Sequence, residues 1–479
     1  MRESLFRVPE KLVVRKYDSE ENLPDYRTEF MRDRDRLMYA TAFRRLAGKT
    51  QIYTVGGDDH RKNRLTHTLE VSQIARTIAS ALGFDVHLTE AIALAHDFGH
   101  TPFGHAGERM LNDILIPNSM YIKDSPYYMR TEDDIRSMFE RENPDKIGNI
   151  DWMFGFKHNL QSVRVSALLE DSYRGEDGNN VGLNLTNFTL YGMMIHSDLD
   201  YKDGKNYPNF HKLFCAQQNM KGYSIPAWSF EAYIVSWADN IAQWHHDLED
   251  AMREGILPLN KICEVLQESL CEVLDSNDVK MLGNIRNVYE IDRKCVAELS
   301  HIVVNTLVND LIQTSMRKID GLKAILEEKG VDSNEVLFTE YDSLGLNISK
   351  DNIISISDDV RTKIFEDVIK ESIHHSRNVE RMNEKGRYII RKLYEAYYAH
   401  PQQLPDGPIM HIMVDINHEK YKNIDVAKNV GIGEVRVDFD KAMKNPTIYD
   451  RCTLMRRICD HIASMTDRYA IDEYNNLYG

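Results

Sequence analysis

Apolar residues recur at helical spacing along most of the chain. Leu37, Met38, Ala42 and Leu46 predict a helix between about Asp33 and Ala47, after a loosely ordered arm at 1–26. Leu65, Leu69, Ile74, Ile78 and Leu82 mark a long amphipathic helix that Gly83 stops. Thr89 and Glu90 can open the next one, AIALAHD, which Gly99 and Pro102 end. Helices are also predicted at 158–172, 184–195 and 229–252, through most of 256–400, and at about 449–477. Residues 118–157, rich in Tyr, Pro, Asp and Glu without sustained periodicity, read as a surface insertion. The alternating runs within 408–440, IMHIMVDINHE and GEVRVDFD, are the best strand candidates. The class predicted is mostly α. A core at 27–255 is followed by a helical region with short strands at 256–448 and by a C-terminal helix, 449–479, packing back on the core.

Composition narrows the function classes. Hydrophobic residues make up 42% of the chain, enough for a real core. A net charge of −16 argues against a protein that coats nucleic acid through its overall field, leaving room only for a local basic groove. Six cysteines without a CxxC pair fit reduced thiols in a cytoplasm. The first residues lack the apolar stretch of a secretory signal, and no uninterrupted apolar run reads as a membrane helix.

Histidine changes the picture. His60, His67, His87, His96, His100 and His105 put six of 18 histidines in one short window. His96-Asp97 closes an apolar helix and His67 sits on the one before, so two imidazoles and a carboxylate can converge on a divalent ion that still lacks a fourth ligand. The plainer alternative is a histidine interacting with a helix end. On the helix at 229–252, Asp239, Gln243, Asp247 and Asp250 form a polar stripe amid Trp237, Ala238, Ile241 and Trp244. Either the stripe faces solvent or Asp239 meets a cation. In GHTPFGHAGE, a helix begun near Pro102 puts His105 and Glu108 three apart on one face, where a carboxylate can orient an imidazole for acid catalysis. Arg32, Arg34, Arg36, Arg44, Arg45, Lys49, Arg61, Lys62 and Arg64 add a basic zone, partly spent on pairing with Asp33 and Asp35. Arg64 lies one turn before His67, within reach of an anion held at a metal. His245-His246 and His374-His375 read as exposed or capping residues.

Together, YRTEFMRDRDRLMYATAFRRLAGKTQIY, NRLTHTLEVSQIARTIA, HDFGHTPFGHAGE, HNLQSVR, GLNLT, ADNIAQWHHDLEDA and DHIASMTDRYA resemble the HD-domain deoxynucleoside triphosphate triphosphohydrolases, the dGTPase family. The resemblance implies an HD-domain helical core and hydrolysis of a dNTP, dGTP first, to deoxynucleoside and triphosphate. It implies one divalent ion, Mg²⁺ or Mn²⁺ or another transition metal, on His67, His96, Asp97 and Asp239. His105 and Glu108 become a catalytic pair, Arg64 and His100 phosphate contacts, and His158 a second active-site histidine found in some relatives. Gln51 and Ile52 fall where the family holds the 3′-OH and crowds out a 2′-OH, and Asp247 is a further sugar contact. A homo-oligomer, a hexamer, also follows, while activation by a dNTP or by single-stranded DNA is an open alternative.

Two positions depart from the family pattern near the polyphosphate. Gln243 stands where a tyrosine is usual, and Ile195 near where a lysine is usual. They motivate an alternative substrate, a deoxynucleoside monophosphate or another nucleotide. The basic run at 27–64 motivates a nucleotide-sensing or nucleic-acid-binding regulator instead.

Overall fold

The computed structural model describes residues 5–17, 26–50, 63–143, 145, 153–175, 178, 180–195, 228–253, 260, 263–264, 266–267, 274, 276–286, 293–340, 343–346, 348, 350–357, 377–417 and 419–479. Among them the chain is helical, and β structure is limited to isolated bridges such as Arg15 with Thr186. The elements that matter begin with α1 (Glu29–Tyr39), α2 (Arg64–Leu82), α3 (Val86–Ala95) and α4 (Gly104–Leu115). Then come α5 (Glu132–Glu142), α6 (His158–Arg164), α7 (Asn187–Ile195), α8 (Phe230–Arg253) and α9 (Arg293–Glu328). The C-terminal set is α10 (Arg377–Ala399), α11 (Asp406–Ile416), α12 (Ile424–Val430), α13 (Ile432–Ala442), α14 (Ile448–Ala463) and α15 (Asp467–Tyr478).

Local chemistry sets the helix ends. Asn63 and Thr66 form a reciprocal capping box at the start of α2, and Gly83 closes it with φ +82°, a left-handed conformation that glycine adopts without a side-chain clash. The next helix starts earlier than Thr89: the Asp85 side chain accepts the His87 and Leu88 amides and begins α3 at Val86. Pro102 precedes α4 rather than opening it. Phe103 caps α4 with φ +61° and donates its amide to Asp467 Oδ1 at 3.0 Å, so α15 holds this left-handed turn in place.

Two apolar cores result. The first joins α1–α3 with α6–α9 and includes Leu37, Ile78, Ile92, Ile234 and Leu307. α9 is long and apolar enough to cross a membrane by length and composition. Here it packs on α8, burying Leu299, Ile302, Val303, Leu307 and Leu311. The second core joins α4 and α5 with α10–α15, through Leu111, Phe139, Tyr394, Ile412 and Ile458.

Several expectations need correction. Residues 408–440 are not strands. Ile409, Ile412 and Met413 are buried at helical spacing in α11, as are Val435 and Phe439 in α13, because both face helical neighbours. Runs this short fit either period, and the packing partner decides. Residues 118–143 are not merely surface, since Ile122, Tyr127, Ile135 and Phe139 enter the second core. Within the arm, Arg15 is clamped by Glu29, Asp33 and the Asn184 carbonyl. The closing segment is two helices, broken where Thr466 caps α15.

Candidate active site

Three helices of the first core supply the metal-ligating residue types. His67 lies one turn into α2, His96 directly follows α3, and Asp239 lies midway along α8. Both imidazoles are buried. His67 Nε2 is 2.9 Å from Asp239 Oδ1, and His96 Nε2 is 3.7 Å from the same oxygen. His96 Nδ1 donates to the Ala93 carbonyl at 2.7 Å, which turns Nε2 toward the carboxylates. Burial opposes charge on His96, yet Asp97 and Asp239 raise its pKa to about 9. Burial likewise opposes ionisation of Asp239, but His67 and His96 hold it well below the usual carboxylate range. Such a charge-rich set of two buried imidazoles and a partly buried aspartate matches a divalent-cation site, with one donor atom of each residue within 4.8 Å of the others.

Asp97 stands beside this set. Its Oδ1 is 3.5 Å from His96 Nε2 and accepts from His100 Nε2 at 3.0 Å. Its Oδ2 accepts from Arg64 Nη1 at 2.6 Å. Against burial, His100, His96 and Arg64 keep it ionised, so it can complete a two-histidine, two-aspartate shell. Burial and Arg64 push the His100 pKa well down, so its imidazole is neutral. With its Nε2–H committed to Asp97, Nδ1 is left as a buried acceptor with no hydrogen-bond partner among the described residues. Arg64 Nε is also buried without a partner among the described residues.

His100 connects this region to a second group. Its ring stacks on His158 with centroids 3.9 Å apart. Gly99 makes that approach possible, since a Cβ there would lie 2.0 Å from the His158 carbonyl. On α4, Glu108 accepts from His158 Nδ1 at 2.7 Å and from His105 Nδ1 at 3.3 Å, both at Oε2. Lys157 Nζ takes Oε1 at 2.5 Å. Burial opposes charge on Glu108, but His158 and His105 keep it well below the ordinary range. The dyad is asymmetric in exposure: the His105 side chain is 54% exposed and Glu108 only 5%. An imidazole held at Nδ1 by a buried carboxylate and open at Nε2 can deliver a proton.

The remaining expected residues scatter. Gln243 and Asp247 follow Asp239 along α8, Gln243 half-buried and Asp247 buried. Gln51, Ile52 and His374-His375 lie outside the described residues. His246 was expected from sequence to be exposed or capping; it is instead 2% exposed and bonded to Glu70. The apolar residues cover most of α8's girth, so periodicity alone could not show which way His246 points. Lys157 and Lys49 were not singled out as site residues. Lys49 Nζ donates to the His100 and Ala463 carbonyls, tying the turn after His96 to α14. Burial and Arg64 bring its pKa down to about 7. Its only sequence signal was a cation in the basic run.

Comparison with known proteins bears on the family. The HD domain family matches residues 64–143, and the phosphohydrolase-associated domain family matches 355–413 and 437–476. A deoxyguanosinetriphosphate triphosphohydrolase-like protein of Geobacter metallireducens is 30% identical over 97% of this chain and 91% of its own length. Proteins of the same description from Leptospira interrogans and an Azoarcus species are 31% and 32% identical, each over 96% of this chain and 92% of theirs.

Proposed function

Because the chain belongs to the deoxyguanosinetriphosphate triphosphohydrolase-like family of HD-domain phosphohydrolases, we propose that it hydrolyses deoxynucleoside triphosphates, dGTP first among them, to deoxynucleoside and inorganic triphosphate. The observation that carries this reading is the unbroken line of contacts from Asp239 through His96, Asp97 and His100 to His158, Glu108 and His105. It joins a cation-binding set to an acid–base group, as cleavage at a phosphate with a poor leaving group requires.

His67, His96, Asp97 and Asp239 would hold one divalent ion, with Mg²⁺ or Mn²⁺ the first candidates. When bound, it supplies Lewis-acid polarisation of a phosphoryl oxygen and a lowered pKa for water. The chain's own residues do the rest. Arg64 keeps Asp97 ionised and brings a guanidinium to the phosphates. His100, neutral and with its only N–H on Asp97, orients that carboxylate; contacting phosphate as a donor would require a proton that its burial opposes. The leaving 5′-oxygen must be protonated, and His105, held at Nδ1 by Glu108, presents Nε2 for that transfer. His158 shares the Glu108 oxygen and packs between the two groups. Asp247, Gln243, Gln51 and Ile52 are assigned to sugar and polyphosphate recognition. A cytoplasmic homo-oligomer, hexameric as in the resemblance, with a dNTP or single-stranded DNA effector, belongs to the same reading.

Each dNTP and NTP, incubated with Mg²⁺ or Mn²⁺ and resolved by ion exchange, tests the proposal. Intact triphosphate plus deoxynucleoside is the expected product pair. Release of orthophosphate from a deoxynucleoside monophosphate, with no triphosphate turned over, would replace it with the monophosphatase that Gln243 and Ile195 motivate.

A further inference from the structure

The helix pair that carries His67 and Asp239 brings a second set of donors together farther along its seam. Glu70 lies one turn beyond His67 on α2, and His245 and His246 lie about two turns beyond Asp239 on α8. Glu70 Oε2 contacts His246 Nε2 and lies 3.9 Å from His245 Nδ1. One donor atom from each of the three lies within 4.8 Å of the others. Neighbouring helical residues point about 100° apart. Here they converge because His245 offers its near ring nitrogen and His246 its far one.

We propose that Glu70, His245 and His246 form a second divalent-cation site, suited to Zn²⁺ or a similar transition ion, that braces α2 against α8. Donors around a tetrahedral ion at about 2.0–2.1 Å stand roughly 3.4 Å apart, so small side-chain rotations close the set. Glu249, one turn after His245, lies 3.7 Å from His245 Nε2. Drawn into hydrogen-bond range, a carboxylate on the far nitrogen would hold the tautomer whose Nδ1 lone pair faces the ion, as outer-shell carboxylates do for metal-bound histidine. Two imidazoles and a carboxylate suit a borderline transition ion better than Mg²⁺. The Glu70 side chain is 37% exposed, leaving an entry path and room for a water as fourth ligand. The rings of His67 and His246 meet edge to face at 5.3 Å, so the two sets adjoin without sharing a ligand.

The site is independent of the proposed activity, and metal counting separates the two. Purified protein is dialysed against Zn²⁺ and its bound metal measured by mass spectrometry. The expected result is two equivalents per chain in the wild type, and one in Asp239→Ala. His245→Gln with Glu70→Gln should also retain one. A single equivalent in the wild type that Asp239→Ala removes overturns the second site, as does a second equivalent that survives the double substitution. Two equivalents surviving Asp239→Ala but falling to one in the double variant would keep the second site and overturn the catalytic ligand assignment instead. Should the double variant not fold, Co²⁺-loaded Asp239→Ala carries the test. Visible d–d absorption with a rise in Tm is expected, and absence of both overturns the proposal.

Discussion

The two halves of the candidate site are built on different foundations. His67, His96 and Asp239 come from α2, the end of α3 and α8, all packed within the first apolar core. His105 and Glu108 ride on α4, whose Met110, Leu111, Ile114 and Leu115 belong to the second core, against α10. The first group is buried and crowded with charge. The second reaches solvent through His105. The proposed cation site thus rests on one core, whereas the proposed proton donor sits at the seam between two, where Gly99, the His100–His158 stack and Lys49 set the alignment.

The division can be broken one side at a time. Asp239→Ala should have the largest effect. With the oxygen shared by both imidazoles gone, the catalytic ion is lost and hydrolysis falls to background. The Glu108 contacts lie at the seam with the other core and should persist, which the histidine NMR resonances of His105 and His158 would report. A variant that kept both its full metal content and its turnover would remove Asp239 from the ligand set.

His105→Ala should act the other way round. Metal content stays at the wild-type level while kcat falls roughly 10²–10⁴-fold, the range for losing a general acid. If metal leaves with the imidazole, the two halves of the site are not separable. Glu108→Gln should cost less, about 10–100-fold, as for other groups that orient a reacting residue. The amide can still meet one imidazole but cannot hold two as an anion. A kcat equal to wild type would leave Glu108 a purely structural role.

The convergence of the first half of the candidate site was legible in the sequence because each residue belongs to a short motif whose spacing survives folding: an HD at a helix end, a histidine on the helix before, an aspartate in an otherwise apolar helix. The His105–Glu108 pair was legible for the same reason, through an i,i+3 offset on one helix. What was hidden depends on contacts between distant segments. Lys49 reaches a carbonyl more than 400 residues away on α14. Tyr127 and Phe139 fill the second core from a segment without periodic pattern. Ile409 and Val435 lie in runs too short to distinguish two periods, so only their helical partners decide the matter.

Another buried carboxyl sharpens the electrostatic side of the comparison. Asp97, Asp239 and Glu108 remain ionised despite burial because imidazoles face them. Glu231, at the start of α8, is fully buried and accepts from the Asp85 amide at 3.0 Å, and no imidazole among the described residues is bonded to it. Burial therefore wins and pushes its pKa up to about 7. The folded state holds a proton that the unfolded chain, near 4.5, has released. This contribution to stability is fully present below about pH 4.5 and is lost as pH rises to about 7. Glu231→Gln has no proton to lose, so its Tm should approach that of the wild type in acid and exceed it increasingly up to neutrality. Above about pH 7 the gap should be constant, worth up to about 3 kcal/mol at 1.36 kcal/mol per pKa unit. Catalysis should be untouched, since Glu231 lies two turns of α8 away from Asp239. Thermal unfolding from pH 4.5 to 8 measures the gap. If it does not change with pH, Glu231 is ionised like the other three, and burial without an imidazole partner is not what sets them apart.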